Sequence, residues 1–106
     1  MARRFTRLFV ATLPIFGETA LLIVSELVAN AVQHGSEPIA LRLCWDGRTL
    51  RVEVSDGDSC VECVKPTPHS SDEHGRGLAL TDHLALSWGA HARPNGKGKT
   101  VWATIA

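Results

Sequence analysis

Between Leu8 and Leu41 the chain contains no lysine and no arginine. A solvated helix face normally carries basic residues and paired charges, so this gap excludes an ordinary wet surface helix. An excess of either charge is missing as well, since eleven basic and eleven acidic residues cancel. That balance excludes the strong single-sign field of a direct nucleic-acid binder or a membrane-surface protein. The basic residues gather instead at Arg3, Arg4 and Arg7 and again at Arg93, Lys97 and Lys99. No apolar run reaches membrane-spanning length, because Glu18 and Glu26 interrupt the longest one. Arg3 and Arg4 precede only a short apolar run that Pro14 breaks, without a clear cleavage site, so no secretory signal is read. Cysteine is scarce and odd in number, at three, which predicts a reducing, cytoplasmic setting. Repeats are absent.

What is present fits one domain over residues 1–106, with 44% apolar residues. A chain of this size buries roughly two thirds of its unfolded surface, enough for one two-layer core. Residues 3–12 predict a weak strand or an amphipathic arm. Pro14 is the expected start of a helix that runs to His34, with Gly35 as its C-terminal stop. In that helix Leu21, Val24, Leu27, Val28, Ala31 and Val32 are expected to share one face. Strands are expected over 39–45, 50–54, 86–90 and 100–105. Asp46-Gly47 is a hairpin signal and Pro94-Asn95-Gly96 a turn. Residues 56–75 read as a long loop rich in Asp, Ser, Pro, Gly and His, and Leu78 to Leu84 as a short helix. Sequential strands with inserted helices predict an α+β two-layer sandwich.

Glu26, Asn30 and His34 follow one another at four-residue spacing, one turn apart, on the other face of the long helix. A lone buried carboxylate is costly unless it has partners or a task. Glu26 is therefore a candidate general base. Asn30 is a candidate Mg²⁺ ligand, because this ion takes oxygen ligands and keeps several of its waters. The plain alternative is a helix with two tolerated polar residues. Asp56-Gly57-Asp58-Ser59 follows a strand, where a carboxylate can accept from a ligand NH₂ while the backbone passes close by. The alternative there is a simple turn. His74-Gly75-Arg76-Gly77-Leu78 enters a helix, where backbone N–H groups can meet an anion, or merely cap it. The segment from Gly96 to Trp102 is not a P-loop, since no helix follows, and Thr100 begins a strand. Cys60 and Cys63 with His69 and His74 contain zinc-ligand types, but two surface thiols are the preferred reading. Cys44, Trp45, Trp88 and Trp102 are read as core residues, and His83 and His91 as surface histidines.

Taken in order, these segments resemble the histidine-kinase-like ATPases with the Bergerat ATP-binding fold, and among them the anti-sigma-factor serine kinases. Residues Ser25-Glu26-Leu27-Val28-Ala29-Asn30-Ala31-Val32-Gln33-His34 look like the family's N box. Val54-Ser55-Asp56-Gly57-Asp58 and Gly75-Arg76-Gly77-Leu78-Ala79-Leu80 look like its glycine boxes, and Gly98 to Trp102 like its closing strand motif. The resemblance implies a mixed, largely antiparallel sheet covered on one face by helices, with a lid over residues 57–75. It implies ATP and Mg²⁺ as cofactors, Glu26 as the base and Asn30 as the metal ligand. Asp56, with Gly57 beside it, would bind the adenine amino group, and Thr100 would bond near the adenine. Gly75, Arg76, Gly77 and Leu78 would lie at the phosphates. The implied activity is transfer of the γ-phosphoryl group to a serine of an antagonist (anti-anti-sigma) protein. A sigma factor is the second implied partner, with a homodimer as the expected assembly. Ser59 and Cys60 stand where the first glycine box usually has its second glycine. The second reading is therefore a non-catalytic ATP-binding or partner-sequestering module.

Overall fold

In the long helix, apolar residues recur at three- and four-residue steps, and the helix they form lies over the middle of a sheet. A computed structural model describes residues 2–11, 17–64 and 73–106; Val10, Cys63 and residues 73–77 are described by backbone alone. The helix, α2, spans Gly17–His34 and buries Ala20, Leu21, Ile23, Val24, Leu27, Asn30 and Ala31. The expected core face was displaced by part of a turn, since Ile23 is fully buried while Val32 is 65% exposed. The cause is that α2 has neighbours on several sides, packing on helices as well as on the sheet. Its expected start at Pro14 lies outside the described residues.

The sheet orders its strands β1-β2-β4-β3, all antiparallel. These are β1 (Ala40–Trp45), β2 (Leu50–Asp56), β3 (Ser87–Ala92) and β4 (Lys99–Ile105). Alternation decides their faces: Leu50, Val52 and Val54 of β2, with Val101, Ala103 and Ile105 of β4, point at α2 and are at most 3% exposed. Truncating a residue at this contact, such as the 1% exposed Leu27, to alanine costs about 2–5 kcal/mol. The opposite face carries Arg51, whose guanidinium lies 4.4 Å from the Trp102 ring centroid and bonds Glu53 at 2.6 Å. Trp102 is therefore not a core aromatic, and Cys44, paired with Arg51 in the ladder, is half-buried on that same outer face.

Residues Ala2–Val10 form a helix, α1, rather than a strand, with Ala2 and Phe9 packed on the core and Thr6 buried between them. The inward spacing of four and then three residues is a helical period. The last helix, α3, spans Glu73–Leu84 and packs beside α2. It begins five residues ahead of the expected Leu78, so Gly75, Arg76 and Gly77 lie within its first turns and not in a preceding loop. A short 3₁₀ turn occupies Val61–Cys63. The result is the expected α+β two-layer sandwich, with every described strand pair antiparallel.

Candidate functional site

Asp56 closes β2 on the helix-facing side, in line with Leu50, Val52 and Val54, and is 1% exposed. A carboxylate so placed must be paired or used. Its Oδ1 accepts from the backbone N of Asp58 at 2.7 Å and from Nζ of Lys99 at 3.1 Å. Its Oδ2 is buried with no partner among the described residues. Lys99 begins β4 directly opposite Asp56 in the ladder and is 3% exposed. Its ammonium also donates to the Asp58 carbonyl at 3.3 Å.

The backbone around this pair leaves no room for side chains. Gly98 has φ of 96°, a left-handed conformation, and a Cβ there would strike the Asp56 carbonyl. Gly57 donates its N–H to the Ser36 carbonyl at 2.6 Å, and a Cβ on it would strike the Glu37 carbonyl. Gly35 ends α2 with its N–H on the Ala31 carbonyl at 2.9 Å. Its φ is not left-handed, so it does not stop the helix by a glycine-only conformation; it is pressed against Asp56. The C-terminal end of α2 therefore abuts the carboxylate at the end of β2.

From that end, Asn30 and Glu26 lie progressively back along the helix, about 7 and 13 Å by helical rise. Asn30 is buried at 8% exposure, and Glu26 is half-buried. Glu26 lines an open cavity of about 470 Å³ together with Ala79, Leu80 and His83 of α3. Leu78, at 3% exposure, is core in the same helix. Ser25, beside Glu26, keeps a buried hydroxyl without a partner among the described residues. The free N–H groups of a helix's first turn belong, in α3, to the segment that contains Gly75 and Arg76.

The sequence-predicted residues thus separate into two sets. Asp56, Gly57, Asn30 and Glu26 lie along one route from the end of β2 to the seam between α2 and α3. Thr100 does not join them: its hydroxyl bonds that of Ser55 at 2.9 Å on the outer face of the sheet. Lys99, and not Thr100, which was expected to bond near the adenine, is the β4 residue beside Asp56. Strand parity could have exposed Lys99, since it shares the inward phase of Val101, Ala103 and Ile105. The side chain of Arg76 and those of His69 and His74 lie outside the described residues. Cys60 is disulfide-bonded, which corrects the expectation of two free surface thiols, while Cys44 is free. Among the described residues no cluster of three or more His, Cys, Asp or Glu is placed to hold a metal ion, and no helix is long and apolar enough to cross a membrane.

The sequence profile of the "Histidine kinase-like ATPase domain" matches residues 2–105. The chain belongs to the histidine-kinase-like ATPase family. A solved structure similar to it is the histidine kinase domain from the Erythrobacter litoralis EL346 blue-light activated histidine kinase, at 25% identity and a TM-score of 0.59. The likeness covers 84% of this chain and 46% of that one, so the chain spans about half of the kinase domain it resembles. No curated protein sequence matches. For a histidine-kinase-like ATPase domain the ligand is ATP, and the residues present suit it. The orphaned Oδ2 of Asp56 is an acceptor that an exocyclic amino group would satisfy. Asn30 offers an amide oxygen of the kind Mg²⁺ takes.

Proposed function

We propose that this ATPase domain holds Mg-ATP along α2 and transfers the γ-phosphoryl group to a serine of an antagonist protein. It would act as an anti-sigma-factor-type switch, controlling transcription through a sigma factor and an anti-anti-sigma partner, with a second copy of the chain as the assembly. One observation carries the reading: a buried, half-satisfied carboxylate at one end of α2, followed along that helix by a buried amide and a half-buried carboxylate facing a cavity. Asp56 would receive the base, Asn30 would ligate the ion at the phosphates, and Glu26 would work at the γ end. When bound, Mg²⁺ neutralises phosphate charge, on which phosphoryl transfer mainly depends. Glu26 accepts the proton of the incoming serine hydroxyl as that oxygen bonds the γ-phosphorus; the bond to the β–γ bridging oxygen breaks and ADP departs. The α3 N-terminus would supply the free N–H groups of its first turn, which contains Gly75, to the phosphates.

A second reading, a non-catalytic ATP-binding or partner-sequestering module, is favoured by one feature. Lys99 already pairs with the carboxylate that would read the base. Thermal unfolding with Mg-ATP, using Asp56→Ala as control, tests nucleotide binding. At about a hundred times Kd the ligand stabilises by roughly 2.7 kcal/mol, a shift of about twelve degrees for this size. A shift that the control loses, followed by phosphorylation of an antagonist serine, supports the kinase. A shift without phosphorylation supports a non-catalytic ATP-binding module, and no shift at millimolar ATP rejects the kinase and leaves the partner-sequestering module in the lead.

A further inference from the structure

α1 turns only part of its surface to the core. Ala2 and Phe9 pack there and Thr6 is buried, while Phe5 and Leu8 stand 51% and 70% exposed. Phe5 borders an open cavity of about 480 Å³, lined with it by Ala2, by Val28 of α2, and by Ile39 and Leu41 at the β1 edge of the sheet. We propose that this groove is a docking surface for a partner protein, which lays an amphipathic helix with acidic flanks into it. The inference is independent of the nucleotide reading, because Val28 falls on the flank of α2 opposite Glu26 and Asn30.

The lining side chains are all apolar and come from three elements, so what the groove offers is burial of apolar surface. That surface continues outward along both helices, which pack side by side. Leu8 follows Phe5 by three residues, and Val32, 65% exposed, follows Val28 by four. Two such rows receive the ridge of a third helix between them, with anchors at i, i+3 or i+4, and i+7. The rim supplies the sign. Round the circumference of α1, Leu8 is followed by Arg4 and then by Arg7, both exposed. α1 contains no acidic residue, and neither arginine has an ion-pair partner among the described residues. Carboxylates flanking the apolar stripe of an incoming helix complement them.

The same charge argues against a second copy as the occupant. A two-fold interface presents one patch to itself, so one basic rim would meet another. A lipid surface fits less well than a helix. A helix lying in a membrane interface needs a broad free apolar face, whereas α1 shows only Phe5 and Leu8 as exposed large apolar side chains among the described residues, and the groove beside them is concave.

The test selects helical peptides from a randomised phage-displayed library on the full chain. Enriched sequences should carry apolar residues at i, i+3 or i+4, and i+7, with more Asp and Glu than Lys and Arg. A recovered peptide, followed by fluorescence anisotropy, should bind Phe5→Asp and Val32→Asp at least about tenfold more weakly than wild type. Both side chains are more than half exposed and they lie on different helices, so a folding defect in one variant leaves the other to test the groove. Arg4→Glu combined with Arg7→Glu should weaken the peptide at low salt and flatten its salt dependence. An enriched set without an acidic excess overturns the inference, as does a peptide that the folded aspartate variants bind at the wild-type level. Failure to enrich any helical peptide overturns it too. So does a dimer in sedimentation that Phe5→Asp dissolves, or binding to phosphatidylglycerol vesicles that Phe5→Asp abolishes, since each gives the face to a different occupant.

Discussion

Gly35 lies against the Asp56 carboxylate so closely that a Cβ on it would come within 2.5 Å of Cγ and 2.6 Å of Oδ2. The end of the long helix and the end of a central strand are thereby held together at this carboxylate. Real Cβ atoms do not approach so near, so an alanine at this position forces one of the two elements to move.

Gly35→Ala should destabilise the domain by about 1–3 kcal/mol through overpacking. Reduced freedom of the unfolded chain offsets this by only about 0.4–1 kcal/mol, because the native φ is one alanine can adopt. The urea midpoint should fall with its slope unchanged. A midpoint at or above wild type would mean the contact is looser than the geometry states.

Asp56 and Lys99 should be strongly coupled. Removing either partner of a buried ion pair costs about 3–5 kcal/mol, because the other charge is left uncompensated. Asp56→Asn and Lys99→Met should each be severe, and the double variant much less so than their sum. A double-mutant cycle by urea unfolding reads this directly. Additivity within about 0.5 kcal/mol would show that the pair is not energetically linked.

Glu26 and Asn30 should fail in different ways. Glu26→Ala should leave the ATP dissociation constant unchanged while phosphoryl transfer falls by about 10²–10⁴-fold, the usual worth of a positioned base. Asn30→Ala should weaken Mg-ATP far more than metal-free ATP. Titrations with and without Mg²⁺, beside a serine phosphorylation assay, separate the two. Equal loss of binding and transfer in Glu26→Ala would remove its assignment as base.

The β1–β2 hairpin should respond to acid through Asp46. The N–H of Thr49 and the N–H of Arg48, each at 2.8 Å from Oδ1, stabilise the charged form and hold this carboxyl below the usual aspartate value. A pKa lowered on folding adds stability that is present above the unfolded value and is lost as pH falls through the folded one. An NMR titration should find Asp46 protonating below an ordinary aspartate, and Asp46→Asn should erase its part of the acid response. A midpoint at or above the unfolded value would contradict the hairpin geometry.

Local chemistry was legible in this sequence wherever one element sufficed. The helical period of α2, the alternation of β2 and the Asp46-Gly47 turn all follow from nearest-neighbour spacing. Polar residues one turn apart on an apolar helix marked Glu26 and Asn30 as exceptional without reference to any partner. What failed depended on partners. Val32 was expected inside and is exposed, because the buried stripe of α2 is set by which helices and strands it meets. Gly35 was expected to stop a helix by its backbone freedom, yet its small size against Asp56 explains it better. Thr100 was expected near the adenine and lies on the outer face, while Lys99, for which no role was read, lies beside Asp56, because the face a strand residue shows depends on pairing phase, which register with β2 sets.

The sequence by itself determined the α+β composition, the polar line along α2 and a carboxylate-glycine step at the end of a strand. Periods of about 3.6 and 2 residues belong to each segment alone, so these needed no distant contact. Only the tertiary structure decided that Lys99 meets one oxygen of Asp56, that the other oxygen has no partner among the described residues and that Gly35 packs against the same carboxylate. Those relationships join residues more than twenty positions apart, and burial makes them matter: unscreened charge and missing volume acquire their energies only once the layers have closed.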